Sequence, residues 1–383
     1  MTKRIGRCLF PASLVAIAVF AASAARADDG DGRSAYAVTD LVSDLASLGG
    51  KVVDPVLQNA WGMVFSPAAS PFWISDNATG CSTLYDGDGT IVPLQVKIPL
   101  PGGIIPSTAC KHADPANPPN PTPAAPTGIV WNPTSAFLVP GTTTASHFIW
   151  STEDGTISAW ASGAAATLAV DNSAVGPGAV YKGLVTGVNV RGVFLFATNF
   201  RAGTIDVVDN AFHAAVTDGG FTDPGIPPGY APFGIQNIDG DLYVTYAEQN
   251  AQKHDDVAGA GKGFVDVFDT DGHMLRRLAT RGVLNSPWAV VRASSAFGSF
   301  SGAILVGNFG DGTINAFSSG GRFLGTLRGT DHKALVIDGL WNLGLGGGAK
   351  SSSDTLYFTA GPNGETDGRF GTITPVPSSG GDD

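Results

Sequence analysis

One stretch constrains this chain more than any other: Gly302–Leu327, GAILVGNFGDGTINAFSSGGRFLGTL. It holds three short apolar runs, Ala303–Val306, Thr313–Phe317 and Arg322–Leu327, divided by Gly310-Asp311-Gly312 and by Ser318-Ser319-Gly320-Gly321. Short β-prone runs split by turn residues read as an antiparallel meander. With Pro287–Val291 just upstream they make a four-stranded unit of about 45 residues, the size of a propeller blade. The unit recurs. Gly192–Asp209 carries the same apolar run, the same Asn-Phe pair (Asn199-Phe200 beside Asn308-Phe309) and the same Gly-Thr-Ile (Gly203 beside Gly312), and Gly155–Trp160 repeats that opening again. One such sheet cannot bury both faces, whereas several packed around an axis can.

The residues that lead into each innermost strand recur as well. They are Asn59-Ala60-Trp61-Gly62, Ala125-Pro126-Thr127-Gly128, Val180-Tyr181-Lys182-Gly183, Ala231-Pro232-Phe233-Gly234, Ser286-Pro287-Trp288-Ala289 and Gly339-Leu340-Trp341-Asn342. Small residues at the fourth position suit a crowded axis where backbones approach closely. Six leads predict six four-stranded antiparallel blades. The last blade, Leu340–Leu345, Thr355–Thr359 and Gly371–Pro375, is one strand short, and an open edge invites aggregation. The spare run Tyr36–Leu41 is predicted to close the ring. The expected fold is thus an all-β, six-bladed β-propeller over residues 28–376. A Pro-rich insertion loop at 99–126 interrupts it, and a disordered tail at 377–383 follows it.

The 52 Gly, 25 Pro and 14% charged residues agree with a turn-rich all-β chain. The net charge is −11, and four of the basic residues (Lys3, Arg4, Arg7 and Arg26) lie in the first 27 positions, leaving the remainder more acidic still. Without clustered Lys and Arg there is nothing to neutralise phosphates, so no nucleic-acid partner is expected. Residues 1–27 read as a signal peptide: a basic start, the apolar run Cys8–Ala22, and Ala25-Arg26-Ala27 before Asp28. The expected location is secreted or periplasmic, as a monomer with no membrane anchor after cleavage. Cys81 and Cys110 then remain, and in an oxidising compartment they are predicted to form a disulfide that pins the insertion.

The Pro-x-Gly lead, the strand ending in Asn-Phe, the Gly-Thr-Ile hairpin and the closing Asp269-Thr270-Asp271-Gly272 resemble NHL-type six-bladed propellers. The chain more closely resembles a family of uncharacterised secreted bacterial propellers, many of which end in a PEP-CTERM sorting signal. That resemblance rests on Thr39–Asp44, Asp54-Pro55, Trp61-Gly62, Pro71–Asn77, Pro126-Thr127-Gly128, Tyr181-Lys182-Gly183 and Ala231–Gly234, and covers roughly Tyr36 to Pro375. The chain departs from it at the end, where Pro377 is followed by Ser378-Ser379-Gly380-Gly381-Asp382-Asp383, with no apolar helix and no basic tail. The family brings no established activity with it.

In propellers of this kind the leads and the loops after the second strands share one face. That predicts a ligand-binding surface of Trp61, Phe233, Trp288 and Trp341 with Asp76, Asn77, Glu153, Asn199, Tyr246, Glu248 and Asn308. Aromatic rings with amides and carboxylates suit a sugar, a peptide or another small polar ligand, or an extracellular protein or glycan bearing such groups. The favoured reading is a binding scaffold with no cofactor. The alternative is a hydrolase like the six-bladed lactonases and gluconolactonases, with calcium or a similar divalent ion held by oxygens of Glu153, Asn199, Asn308 and Asp76. Asp86-Gly87-Asp88-Gly89 lacks the further ligands of a calcium loop and reads as a hairpin turn. The six histidines never fall at metal-ligand spacing, and neither a Gly-x-Ser-x-Gly elbow nor a phosphate loop occurs.

Overall fold

The computed structural model describes residues 34–67 and 69–376; the signal peptide and the tail expected from the sequence lie outside them. Five four-stranded antiparallel sheets and one five-stranded sheet form six blades. Blade one is Ala60–Val64, Phe72–Asp76, Cys81–Tyr85 and Ile91–Lys97. Blade two is Pro126–Trp131, Phe148–Thr152, Thr156–Trp160 and Thr167–Asp171. Blade three begins at Tyr181–Asn189, blade four at Tyr230–Ile238 and blade five at Pro287–Arg292. Each inner strand packs beside that of the next blade, and the sixth, Leu340–Leu345, returns to the first.

The N-terminal strand closes the ring. Ala35–Ser43 pairs antiparallel with Arg369–Val376, the third strand of blade six. Tyr36 adds a second hold, with its ring between Phe297 and Phe300 of blade five and its hydroxyl donating to the Phe297 carbonyl at 3.1 Å. The connector after this strand supplies an unexpected fifth strand, Val52–Val53, which runs parallel to it.

Alternating side chains of adjacent sheets interdigitate, so each interface between blades carries its own apolar layer. Trp73, Phe148, Trp150 and Trp160 fill the one between blades one and two, and Phe196, Phe221, Tyr246 and Phe264 the one between blades three and four. A larger cluster joins blades five and six to the axis.

Cys81 and Cys110 are disulfide-bonded. The bond draws the Pro-rich insertion back to the face where the inner strands begin. There Ala113 N–H donates to Gln58 Oε1 at 2.6 Å, and Gln58 Nε2 donates to the Ala113 carbonyl at 3.0 Å.

Candidate functional site at the axis

Every inner strand is bulged at its lead, where its pairing with the second strand skips. A bulge re-aims a side chain, and here six are turned toward the axis: Trp61, Thr127, Lys182, Phe233, Trp288 and Trp341. The bulges free backbone groups, and second-strand hydroxyls satisfy them. Thr198 Oγ1 donates to the Phe233 carbonyl at 2.7 Å and Thr359 Oγ1 to the Trp61 carbonyl at 2.5 Å, while Gly234 N–H donates to Thr245 Oγ1 at 2.8 Å. Neighbouring backbones are so close that a Cβ at Gly128 or Gly234 would strike Leu184 or Trp288 of the next blade.

A second ring lies against the first. It is formed by the residue that follows the second strand in five blades, Asn77, Glu153, Phe200, Phe309 and Gly361, and in blade four by Ala247, within the longer strand Asp241–Glu248. Their N–H groups bond back to the leads, as from Glu153 to the Ala125 carbonyl at 2.9 Å and from Phe200 to the Val180 carbonyl at 2.8 Å.

Part of this double ring is an aromatic stack. Trp61 lies 3.5 Å from Trp341 between ring centroids, Phe309 covers Trp341 at 3.9 Å, and Trp288 meets both tryptophans edge-on at 6.0–6.2 Å. The other part is charged. Lys182, 2% exposed, forms an ion pair with Glu153, and its ammonium lies 5.2 Å from the Trp61 ring centre and 5.9 Å from that of Phe200. Glu153 Oε2 accepts from Asn77 Nδ2 at 2.9 Å. Asn59 Nδ2 donates to Asn77 Oδ1 at 3.1 Å and to Glu365 Oε2 at 2.9 Å, and Asn59 Oδ1 accepts from Trp341 Nε1 at 2.8 Å. Trp288 Nε1 donates to the Lys182 carbonyl at 2.9 Å. The buried Trp61 indole N–H has no hydrogen-bond partner among the described residues.

The loop after the second strand of blade four folds over this cluster. Gln249 Nε2 donates to the Phe200 carbonyl at 2.5 Å, and the turn beyond it sets Asp255 Oδ1 3.5 Å from Lys182 Nζ and 2.7 Å from His254 Nδ1. The Asp255 side chain is 60% exposed. Its pKa is pulled down to about 2, first by the His254 hydrogen bond and then by the Lys182 charge. Burial alone would lower the Lys182 pKa, but the attraction of Glu153, Asp255 and Glu365 outweighs it and holds the ammonium above its usual range. Burial, with the Glu153 charge adding to it, pushes Glu365 up to about 7.

A divalent ion does not fit this donor set. Glu153, His254 and Asp255 bring ligand atoms within 4.8 Å of one another, but their oxygens are engaged. One Glu153 oxygen serves Lys182 and the other Asn77, and Asp255 Oδ1 faces both His254 and Lys182. The oxygen set anticipated from the sequence does not converge either. Asp76 is buried within blade one, where its Oδ1 accepts from Thr83 Oγ1 at 3.1 Å and burial drives its pKa well up. Asn199 caps its own turn, accepting from Ala202 N–H at 3.2 Å and donating to Asp206 at 3.0 Å. Asn308 ties its own turn to the segment before the inner strand, donating to Asp311 Oδ1 at 3.2 Å and to the Val283 carbonyl at 2.8 Å and accepting from Asn285 N–H at 3.1 Å.

Of the anticipated ligand residues, Trp61, Phe233, Trp288, Trp341, Asn77 and Glu153 come together at the axis, with the aromatic rings buried rather than lining an open depression. Tyr246 is core between blades three and four, and Glu248 pairs with Lys262 at 3.2 Å. Sequence reasoning missed Lys182, Asn59, Asp255, His254 and Glu365. Only Lys182 left a signal there, as the one charge at a position that is otherwise aromatic or threonine. Behind the rings a channel of about 250 Å³ continues along the axis, lined by Trp131, Thr186, Gln236, Asn237 and Asn342 among others.

No known protein-family model matches the chain. Two uncharacterised proteins of Acanthamoeba polyphaga mimivirus are similar to most of it. One is 32% identical over 330 residues, 84% of this chain and 76% of that protein; the other is 30% identical over 332 residues, 84% and 81%. Among solved structures, a gluconolactonase from Xanthomonas campestris matches at 14% identity and a TM-score of 0.49, covering 90% of this chain and 99% of the other. Virginiamycin B lyase from Staphylococcus aureus matches at 12% and 0.45, covering 89% and 100%. Likeness at this level speaks to the fold alone.

Proposed function

We propose a binding role for this chain, which belongs to one family with the two mimivirus proteins: it holds a small, oxygen-rich ligand at the axial end where its inner strands begin. The observation that carries this reading is the Lys182–Glu153 pair, buried among aromatic rings beside the unpartnered Trp61 N–H. Taking two charges out of water costs several kcal/mol per ion before their attraction repays it. Five of the six blades fill the equivalent place with an aromatic ring or a threonine, so the ring closes without a charge there. The ammonium and the indole N–H are donors for a carboxylate, carbonyl or hydroxyl oxygen. The ionised and exposed Asp255 is an acceptor for ligand hydroxyls or an amine, and a sugar or sugar acid offers both kinds of group. An extracellular glycan or protein bearing such groups would be the macromolecular form of the same partner.

The reading includes secretion of a monomer, to the periplasm or beyond, after cleavage before Asp28. The disulfide supports an oxidising compartment. Recovering the exported chain and sequencing its N-terminus checks this, and a mature chain that still begins at Met1 would contradict it.

The ligand test is a titration of sugars, sugar acids, lactones and amines, read by tryptophan fluorescence and calorimetry. Trp61→Phe keeps the ring and removes the N–H. It should weaken the responding compound by roughly tenfold, the worth of one buried hydrogen bond. Asp255→Asn should weaken it with no change in melting temperature. Unchanged affinity in both variants, or no response to any compound class, rejects the axial ligand site.

A further inference from the structure

The axial cluster gathers the donors of a cation site, and the chain supplies the cation. Glu153 Oε1 and Asp255 Oδ1 both face Lys182 Nζ, from two blades and a long loop. The rings on its other sides, Trp61 and Phe200, attract an ammonium through their quadrupoles but offer no ligand atom to a hard divalent ion. The lysine is also fixed. Its carbonyl accepts from Trp288 Nε1 and its side chain is 3% exposed, so the head group has no position in solvent to withdraw to. We infer that Lys182 is a resident cation that occupies the place of a divalent ion between Glu153 and Asp255, so the axis works without metal and excludes ions of the calcium class.

The inference concerns the cation alone and stands or falls separately from the ligand proposed above. Its test uses the purified chain with terbium, whose luminescence nearby indoles sensitise, and with calcium or manganese in thermal melts. The wild-type chain should show no terbium response that Glu153→Gln removes, and its melting temperature should not move with calcium. Lys182→Ala leaves the carboxylates uncompensated. It should melt lower without metal, regain stability when calcium is added, and bind terbium more than tenfold tighter than wild type. Adding Glu153→Gln to that variant should abolish the gain. Lys182→Met, which keeps the buried stem, should give a smaller gain of the same sign.

Two results would overturn the inference. One is wild-type terbium binding that Glu153→Gln abolishes, a measurement that needs no lysine variant to fold. The other is folded Lys182→Ala and Lys182→Met chains that bind terbium no better than wild type.

Discussion

Blades two and three depart from blade five, each at one of two repeat positions. Blade three turns Lys182 toward the axis from its bulged lead, where blade five turns Trp288. Blade two follows its second strand with Glu153, where blade five has Phe309. The backbone frame is the same in each: a skipped pairing in the inner strand and a return hydrogen bond from the residue after the second strand. The frame therefore accepts a ring or a charge alike. The aromatic side closes the propeller by burying surface, whereas the charged side adds interactions that closure does not require.

Variants that break this contrast should have the largest effects. Trp288→Ala opens a cavity against Trp61 and Trp341 and frees the Lys182 carbonyl, and should cost about 3–5 kcal/mol by denaturant unfolding. Glu153→Gln leaves the buried ammonium with the exposed Asp255 and the more distant Glu365, and should cost close to the same, about 3 kcal/mol. Equal losses at the two sites have different causes, and the next substitutions separate them.

The tethered insertion reaches the charged side through its Ala113–Gln58 hydrogen bonds and the Ala125 carbonyl that accepts from Glu153 N–H. Replacing both Cys81 and Cys110 by serine should cost roughly 3 kcal/mol in the chain-entropy model. If the insertion supports the charged side alone, ligand affinity should fall more than the Trp288 fluorescence changes. Equal changes at both would show that the tether supports the whole face.

The sharpest contrast comes from Lys182→Met combined with Glu153→Gln, which removes the pair together. A buried ion pair replaced by neutral groups of similar volume is neutral or stabilising, so unfolding should range from unchanged to about 2 kcal/mol more stable. Ligand binding should be lost. A double variant as unstable as Glu153→Gln alone would mean that the fold depends on the pair, and the two sides would no longer differ in kind.

The sequence made the ring legible because repeats fix the blade count and a missing strand names its replacement. Six leads and Tyr36–Leu41 as the closing strand follow from spacing, and the Cys81–Cys110 bond from there being two cysteines beyond the expected signal peptide. The second ring was harder to read. Asp76, Asn199, Tyr246 and Asn308 align in the repeat, but Asp76, Asn199 and Asn308 end their strands and Tyr246 packs between blades. In a strand, side chains alternate, so a shift of one residue moves a whole set to the other face. The axis-facing set is Asn77, Glu153, Phe200, Ala247, Phe309 and Gly361, which shares no common residue type for the eye to find. Asp255 and Glu365 left no signal at all. The first reaches Lys182 through a loop whose path depends on Gln249 and Phe200, and the second meets Asn59 across 306 residues of chain.

The smallest effect is a pH dependence, and it is confined to the charged side. Glu365 faces Asn59 within its own hydrogen bond and feels the charges of Glu153, Lys182 and Asp256. Its pKa is raised, chiefly by burial, from 4.5 to about 7. The folded chain therefore holds this proton more tightly than the unfolded chain does. That advantage is complete below pH ~4.5 and is lost as pH rises through ~7. Asp44, pushed up to about 6 mainly through burial, acts in the same direction; burial raises Asp266 as well, but its ion pair with Arg277 opposes that. The wild-type melting temperature should thus fall between pH 5 and 8 through Glu365 and Asp44 together. Glu365→Gln removes one of them and keeps an acceptor for Asn59. The difference between variant and wild type should favour the variant by a few degrees at pH 8 and shrink toward zero by pH 5. Trp288→Ala, on the aromatic side, should lower the whole curve without changing its slope. A Glu365→Gln curve parallel to wild type across this range would mean that Glu365 is ionised in the folded chain throughout. The charge bordering Lys182 would then be fixed rather than titrating near neutrality.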